Sequence, residues 1–321
     1  MNYNHWDRIG LVFCLDQCSQ VNELNYSHTQ CPFYLNLDNE ERIYFSSRDK
    51  NNISRVFYIK IKARDQSITL TENKIYGPII DRGNKDDFDS DGAMISWILK
   101  LKNDYLLYYT GWKVKKKFPY ENSIGLCVSK KNSDSFKKIK TNPIIYKNKH
   151  DIFFTGTSCV INFKNIFFNY YMSCSEWITN PKTSRKEPKY CLKIATSKDS
   201  LNWKITNKVA IPLQGDWGGV SKASVVNIRG KLHMWFSYRG EFHYRLNKDQ
   251  SYKIGYATSK NGYDWLIEEF SMNADNNQSG DDLMQAYPHV FQKNNKLFML
   301  YNGNEFGKSG IFLAQSKNEL I

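Results

Sequence analysis

The sequence predicts an all-β fold, a five-bladed β-propeller of four-stranded blades in one domain over residues 1–321. Three observations predict it. An aromatic strand ending in a polar turn recurs five times, as RIYFSSR, LLYYTGW, FNYYMSC, HMWFSYR and FMLYNGN. The copies put Phe45, Tyr109, Tyr171, Phe236 and Tyr301 in register at steps of 64, 62, 65 and 65 residues. Each copy sits among other strand-like runs bounded by turn residues, and no stretch of convincing length has a helical period. A long repeat made of strands closes into a ring of small sheets, with its ligand on the ring's axis.

Taken along the chain, IGLVFCL (9–15) is a strand with no repeat of its own. First strands follow at CPFYLNL (31–37), AMISWIL (93–99), SCVINF (158–163), ASVVNI (223–228) and YPHVFQ (287–292). The aromatic set supplies the second strands. Third strands are SIGLCVS (123–129), YCLKIATS (190–197), YKIGYATS (252–259) and SGIFLAQS (309–316). Short fourth strands, DSFKKI (134–139), LNWKI (201–205) and YDWLIE (263–268), carry an aromatic anchor at Phe136, Trp203 and Trp265. The fifth repeat stops after its third strand. The N-terminal strand is therefore expected to supply the missing fourth and to close the ring, removing an open edge.

Hydrophobic residues make up 41% of the chain and aromatics 15%, which suits both a large β core and sugar-facing surfaces. No apolar run is long enough for a membrane span, and the polar start MNYNHWDRIG lacks the apolar segment of a secretion signal. The 7 cysteines are scattered without a CxxC pair, which points to reduced thiols and a cytoplasmic protein. On that reading the sequons at Asn25, Asn52 and Asn277 carry no weight. A net charge of +13 is either a solvated basic surface or an attraction for anionic ligands such as phosphorylated or nucleotide-linked sugars. The KVKKK run at Lys113–Lys117 is expected in a solvent-facing loop. Nothing resembles a nucleic-acid module, and the histidines show no metal spacing, so neither metal nor cofactor is expected.

The segments ATSKDSLNW and ATSKNGYDW, running from third to fourth strands, resemble a hallmark of the five-bladed propeller glycosidase superfamily. That group includes arabinanase-, invertase- and levansucrase-like enzymes and the mannoside phosphorylases. The resemblance covers nearly the whole chain as architecture. Through FDSDG, YYTGW and YNGN the chain is most similar to polysaccharide-cluster members of diverse role. A calcium ion in the channel is compatible with the resemblance, although no motif here demands one.

First strands line a propeller's channel, so the five entrances SHTQCP, FDSDGA, FTGTSC, GVSKAS and DDLMQAYP are where distant side chains converge. Hydrolases of the superfamily use three carboxylates at the first three entrances. Only Asp91 matches, with Asp89 close by. The first entrance has His28, Thr29 and Gln30 instead, and the third has Thr155, Thr157 and Ser158. Glu176 and Asp282, with Asp281 beside it, are the candidate replacements for a carboxylate pair. His28 is a candidate base, phosphate ligand or hydroxyl partner. Lys222, Arg48 and Arg239 would add positive charge at the mouth, or Arg48 would pair with Asp49. Trp112, Trp177, Tyr238 and Tyr287 are candidates for stacking on a sugar ring, and Asn302 and Asn304 for holding its hydroxyls.

These residues point to a carbohydrate-active enzyme that cleaves or transfers a glycosyl group in surface-polysaccharide metabolism. The missing carboxylates make transfer from a phosphorylated or nucleotide-linked sugar the rival, because such leaving groups need less acid catalysis. A non-catalytic glycan-binding propeller is the third reading.

Overall fold

A computed structural model describes residues 2–18, 25–64, 67–131, 133, 135–273 and 280–320. The sequon at Asn277 and Asp134, the first residue of an expected fourth strand, lie outside them. The described chain is built of strands, with only a three-residue helical turn at Leu15–Gln17 and a four-residue one at Asn304–Gly307.

After β1 (His5–Phe13), the first antiparallel unit contains β2 (Ser27–Asn36), β3 (Glu41–Arg48), β4 (Ser54–Arg64), β5 (Ser67–Leu70) and β6 (Tyr76–Ile80). The second has β7 (Gly92–Lys100), β8 (Asp104–Val114), β9 (Tyr120–Lys130) and β10 (Lys137–Lys138). The third has β11 (Phe154–Phe163), β12 (Ile166–Thr179), β13 (Lys186–Ser197) and β14 (Lys204–Ile211). The fourth has β15 (Trp217–Ile228), β16 (Lys231–Gly240), β17 (Lys253–Ser259) and β18 (Leu266–Glu268). Beyond β19 (Ser271–Asn273), β20 (Ala286–Lys293), β21 (Lys296–Asn302) and β22 (Ile311–Ser316) make the last unit. There β1 pairs antiparallel with β22, Trp6 opposite Ser316. The N-terminal strand thus starts earlier than its apolar run and stops before Cys14. In the second unit the fourth strand shrinks to Lys137–Lys138.

Strands β2, β7, β11, β15 and β20 lie side by side in that order, and β20 also lies against β2. Each carries a register shift at the same level, between Gln30 and Phe33, Ile95 and Trp97, Gly156 and Ser158, Ser221 and Ser224, and Ala286 and His289. Four of the bulged residues, Cys31, Thr157, Lys222 and Tyr287, have φ of 55°, 40°, 47° and 58°. A bulge frees a backbone N–H, which must find a partner when buried. A side chain of the preceding unit captures each one. Ser46 Oγ accepts from Ile95 N–H, Thr110 Oγ1 from Thr157, Thr157 Oγ1 from Lys222, Ser237 Oγ from Tyr287 and Asn302 Oδ1 from Cys31. Four of these acceptors directly follow an in-register aromatic of the repeat.

The five aromatics of the repeat are fully buried. Their neighbours bind one unit to the next. Phe136, Trp203 and Trp265 meet Tyr44, Tyr108 and Tyr170 of the preceding unit edge to face, at 6.4, 6.1 and 5.2 Å. Tyr108 and Tyr170 donate to the carbonyls of Ser200 and Gly262, inside the SKDSLNW and SKNGYDW turns. Those turns are packing devices.

Candidate functional site

The bulges, together with the loops that follow the second strands, surround a cavity of about 330 Å³. Every unit contributes to its lining: Cys31 and Arg48; Met94, Thr110, Trp112, Tyr120 and Asn122; Thr157, Met172, Arg185, Pro188 and Tyr190; Ser221, Tyr244, Arg245 and Tyr252; and Tyr287 and Phe306. Three arginines and seven aromatic rings face it. Among the described residues, no aspartate or glutamate does.

Arg48 Nε donates to Gln30 Oε1 at 2.7 Å, and no acid among the described residues pairs with it. Asp49 is taken instead by Arg55, at 2.8 Å. Gln30 is fully buried, and this bond aims the guanidinium from behind. Across the cavity, Arg245 Nη1 donates to the buried Glu187 at 2.8 Å, and Arg185 stands 3.7 Å from the same carboxylate. Tyr244 also donates to Glu187. One acid therefore serves two arginines and a phenol.

Arg239 does not line the cavity. It lies buried behind the wall, donating to the carbonyls of Pro188 and Gly240 at 2.6 and 2.7 Å and to Tyr190 Oη at 3.0 Å. The Tyr244 ring covers it at 4.0 Å, and no carboxylate neutralises it among the described residues. Tyr190 and Tyr252 join hydroxyl to hydroxyl. Burial raises the pKa of Tyr120, Tyr244, Tyr252 and Tyr287, so these phenols remain protonated at neutral pH.

Of the candidate residues singled out above, Arg48, Trp112 and Tyr287 come together here. The other candidates do not line the cavity. Asp91 accepts from the Val114 N–H at 2.8 Å and holds the end of β8. Asp89 is buried, bound to Tyr109 Oη at 2.9 Å and Lys138 Nζ at 2.6 Å. Glu176 is exposed on β12. Asp282 is exposed and accepts from Asn304 at 2.8 Å, a bond that lowers its pKa. Trp177 packs against Phe118, Tyr120 and Phe154. Tyr238 stacks on Trp217 at 4.2 Å, in a separate groove. Asn302 spends its amide on Cys31, Thr29 and Gly310, and Asn304 caps the Leu283 and Met284 N–H groups.

Lys222 is fully buried, with its Nζ 5.6 Å from the Trp97 ring and no hydrogen-bond partner among the described residues. Burial lowers its pKa. An amine there, and a cavity lined by no carboxylate among the described residues, do not fit a calcium ion. Among the described residues no group of three His, Cys, Asp or Glu could hold a metal.

His28 is half-buried on Ser27 Oγ at 2.8 Å, and burial together with Arg48 lowers its pKa to about 4. Burial does the same to His233, also to about 4. Both are neutral at pH 7. The unfolded chain, with histidine pKa near 6.5, binds protons that the fold refuses. Stability is thus full above about pH 6.5 and is lost as pH falls towards about 4. A Tm series over this window should slope downward with acid, and a His28→Asn/His233→Asn variant should flatten it. An unchanged slope in the variant rules the account out.

The side chains of Asn302, Asn304, Asp89 and Asp91 satisfy backbone or core groups, which a local pattern does not show. Arg185, Arg245 and Tyr252 were missed because they lie between second and third strands, outside the entrances that the repeat marks. Their signal was the length of those connections. The third unit extends β12 and β13 into a long hairpin, and the fourth inserts EFHYRLNKDQSY between its strands.

No protein-family model matches the chain. The uncharacterized protein Rv1502 of Mycobacterium tuberculosis is 28% identical over 98% of this chain and 99% of its own. A solved glycoside hydrolase superposes with a TM-score of 0.70 at 14% identity, over 97% of this chain and 91% of its own. The fold is that of the propeller glycosidases. A structure from the GH130 family of mannoside phosphorylases, which contains glycoside hydrolases targeting β-1,2 mannosidic linkages in Candida mannan, also superposes. Its TM-score is 0.67 at 12% identity, covering 100% of this chain and 98% of its own. At such identities the likeness fixes the propeller fold and leaves the chemistry to the cavity.

Proposed function

We propose that the chain is a five-bladed propeller whose axial cavity takes an anionic saccharide, a sugar phosphate or nucleotide-linked sugar, for glycosyl transfer rather than hydrolysis. The five bulge latches, running from Ser46 round to Asn302 and Cys31, support the blade count and closure. One observation carries the function: among the described residues, three arginines and seven aromatic rings line the cavity without a carboxylate. Rings give a saccharide its apolar platform, and guanidinium forks suit phosphate oxygens. Hydrolysis by paired carboxylates requires two acids flanking the scissile bond. Asp91, Glu176 and Asp282 are not among the residues lining this cavity, which supports the reading.

The leaving phosphate or nucleotide needs little protonation, so a wall of arginines and protonated phenols suffices to stabilise its charge. The same lack of carboxylates favours a second reading, a glycan-binding propeller without turnover. A thermal-shift screen of hexose 1-phosphates, nucleotide hexoses and neutral oligosaccharides tests the first. Stabilisation by the anionic sugars is expected. Stabilisation by neutral oligosaccharides alone would overturn it. Binding of a nucleotide hexose without release of nucleotide to any acceptor glycan would favour the second.

A further inference from the structure

The cavity opens between loops whose outer faces combine lysines with exposed apolar side chains. Lys115, Lys116 and Lys117 are exposed, and Val114 beside them is 58% exposed. The neighbouring loop carries Lys147 and Lys149 with Tyr146 and Ile152, the last 63% exposed. These two loops form one surface: Phe118 meets Phe153 at 5.2 Å, and Glu121 bridges Lys147 at 2.8 Å and Lys115 at 3.8 Å. Leu246, 89% exposed, follows the cavity residue Arg245 on the facing loop. Val114 lies two residues beyond the cavity residue Trp112.

We propose that this mouth face docks on an anionic lipid bilayer, with Val114, Ile152 and Leu246 entering the interface and the lysines meeting the headgroups. This goes beyond the cavity's own reading and does not depend on it. A solvated basic face requires no apolar tips, and a soluble polyanion would be held by charge alone. Large apolar groups left in water among lysines fit a surface that offers both negative charge and a hydrocarbon boundary. Glu121, shared between Lys115 and Lys147, and Asp86 and Asp87, which line a groove with Lys113 and Lys115, offset part of the charge, and Lys116, Lys117 and Lys149 stand outside that groove. Docked this way, the cavity faces the membrane surface, where a lipid-borne saccharide would present itself.

The test is co-sedimentation of the full chain with vesicles of phosphatidylcholine alone or mixed with phosphatidylglycerol. Binding should require the anionic lipid and weaken as salt rises. Lys115→Gln/Lys116→Gln/Lys117→Gln should weaken it by about fivefold for each lysine near the surface. Val114→Ser/Ile152→Ser/Leu246→Ser should also weaken it while leaving retention on heparin–agarose intact. All six positions are solvent-exposed, and circular dichroism checks that both variants fold. Equal sedimentation with both vesicle types overturns the proposal. So does anionic binding that the apolar variant retains in full, which would mark a general polyanion face.

Discussion

Arg48→Gln is expected to weaken binding of a hexose 1-phosphate by about 10–100-fold while changing affinity for the matching neutral saccharide by less than about twofold. Arg48 combines two features at the cavity wall. Gln30 fixes its Nε, and no described acid competes for the rest of its fork. Arg245 and Arg185, by contrast, already share Glu187. A phosphate arriving at Arg48 need not break an ion pair. Arg48→Lys keeps the charge but loses the planar fork and Gln30's aim, so it should restore only part of the affinity. Calorimetric titration of the three proteins with both sugars reads the effect. An equal loss for the neutral and phosphorylated sugar would show Arg48 to be a packing residue and remove the main support for an anionic ligand.

The fold was legible because propeller packing repeats. Aromatics at a 64-residue spacing must occupy equivalent core positions, and all five are buried in equivalent registers. The bulges were not legible. They break the alternation of a strand, so TGTS and GVSK look like loops although they lie inside β11 and β15. The candidate site was legible where a side chain keeps a ring face or a guanidinium edge on the cavity besides its own bond, as Arg48 does while bonded to Gln30 and Trp112 while bonded to Ser54. Arg48, Trp112 and Tyr287 reach the cavity, whereas Asn302 and Asp89 carry the same chemical promise and are consumed by the ring itself. Polar residues beside a repeat's aromatic positions are thus ambiguous. Their partners belong to the next unit, about 50 residues away in Ser46 and Ile95, and a local pattern cannot show them.

One such ambiguity yields the largest expected stability effect. Three units hold an aspartate 20 residues before their aromatic tyrosine, and each carboxylate binds that hydroxyl: Asp89 to Tyr109, Asp151 to Tyr171 and Asp281 to Tyr301. Each also binds a cation: Lys138, Lys193 and Arg8 respectively. In the fourth unit, Phe236 stands at the same spacing from Asp216, which binds Gln250 instead. Asp151 gathers the most side-chain donors of the three among the described residues: fully buried, it accepts from Tyr171 at 3.0 Å, Ser173 at 2.6 Å, Asn148 at 2.7 Å and Lys193 at 3.2 Å. Asp151→Asn keeps the shape but strands the Lys193 charge and turns an acceptor towards donors. Removing one partner of a buried pair costs about 3–5 kcal/mol, a Tm lower by roughly 5–8 °C for a chain of this length. Adding Lys193→Met should recover part of that loss, since the stranded charge goes with it. Asp91→Asn, whose carboxylate has only a backbone N–H and Ser90 as partners among the described residues, should cost far less. If Asp151→Asn melts with the wild type, the repeated aspartate is not what holds the second strands in place, and its 20-residue spacing would need a functional explanation instead.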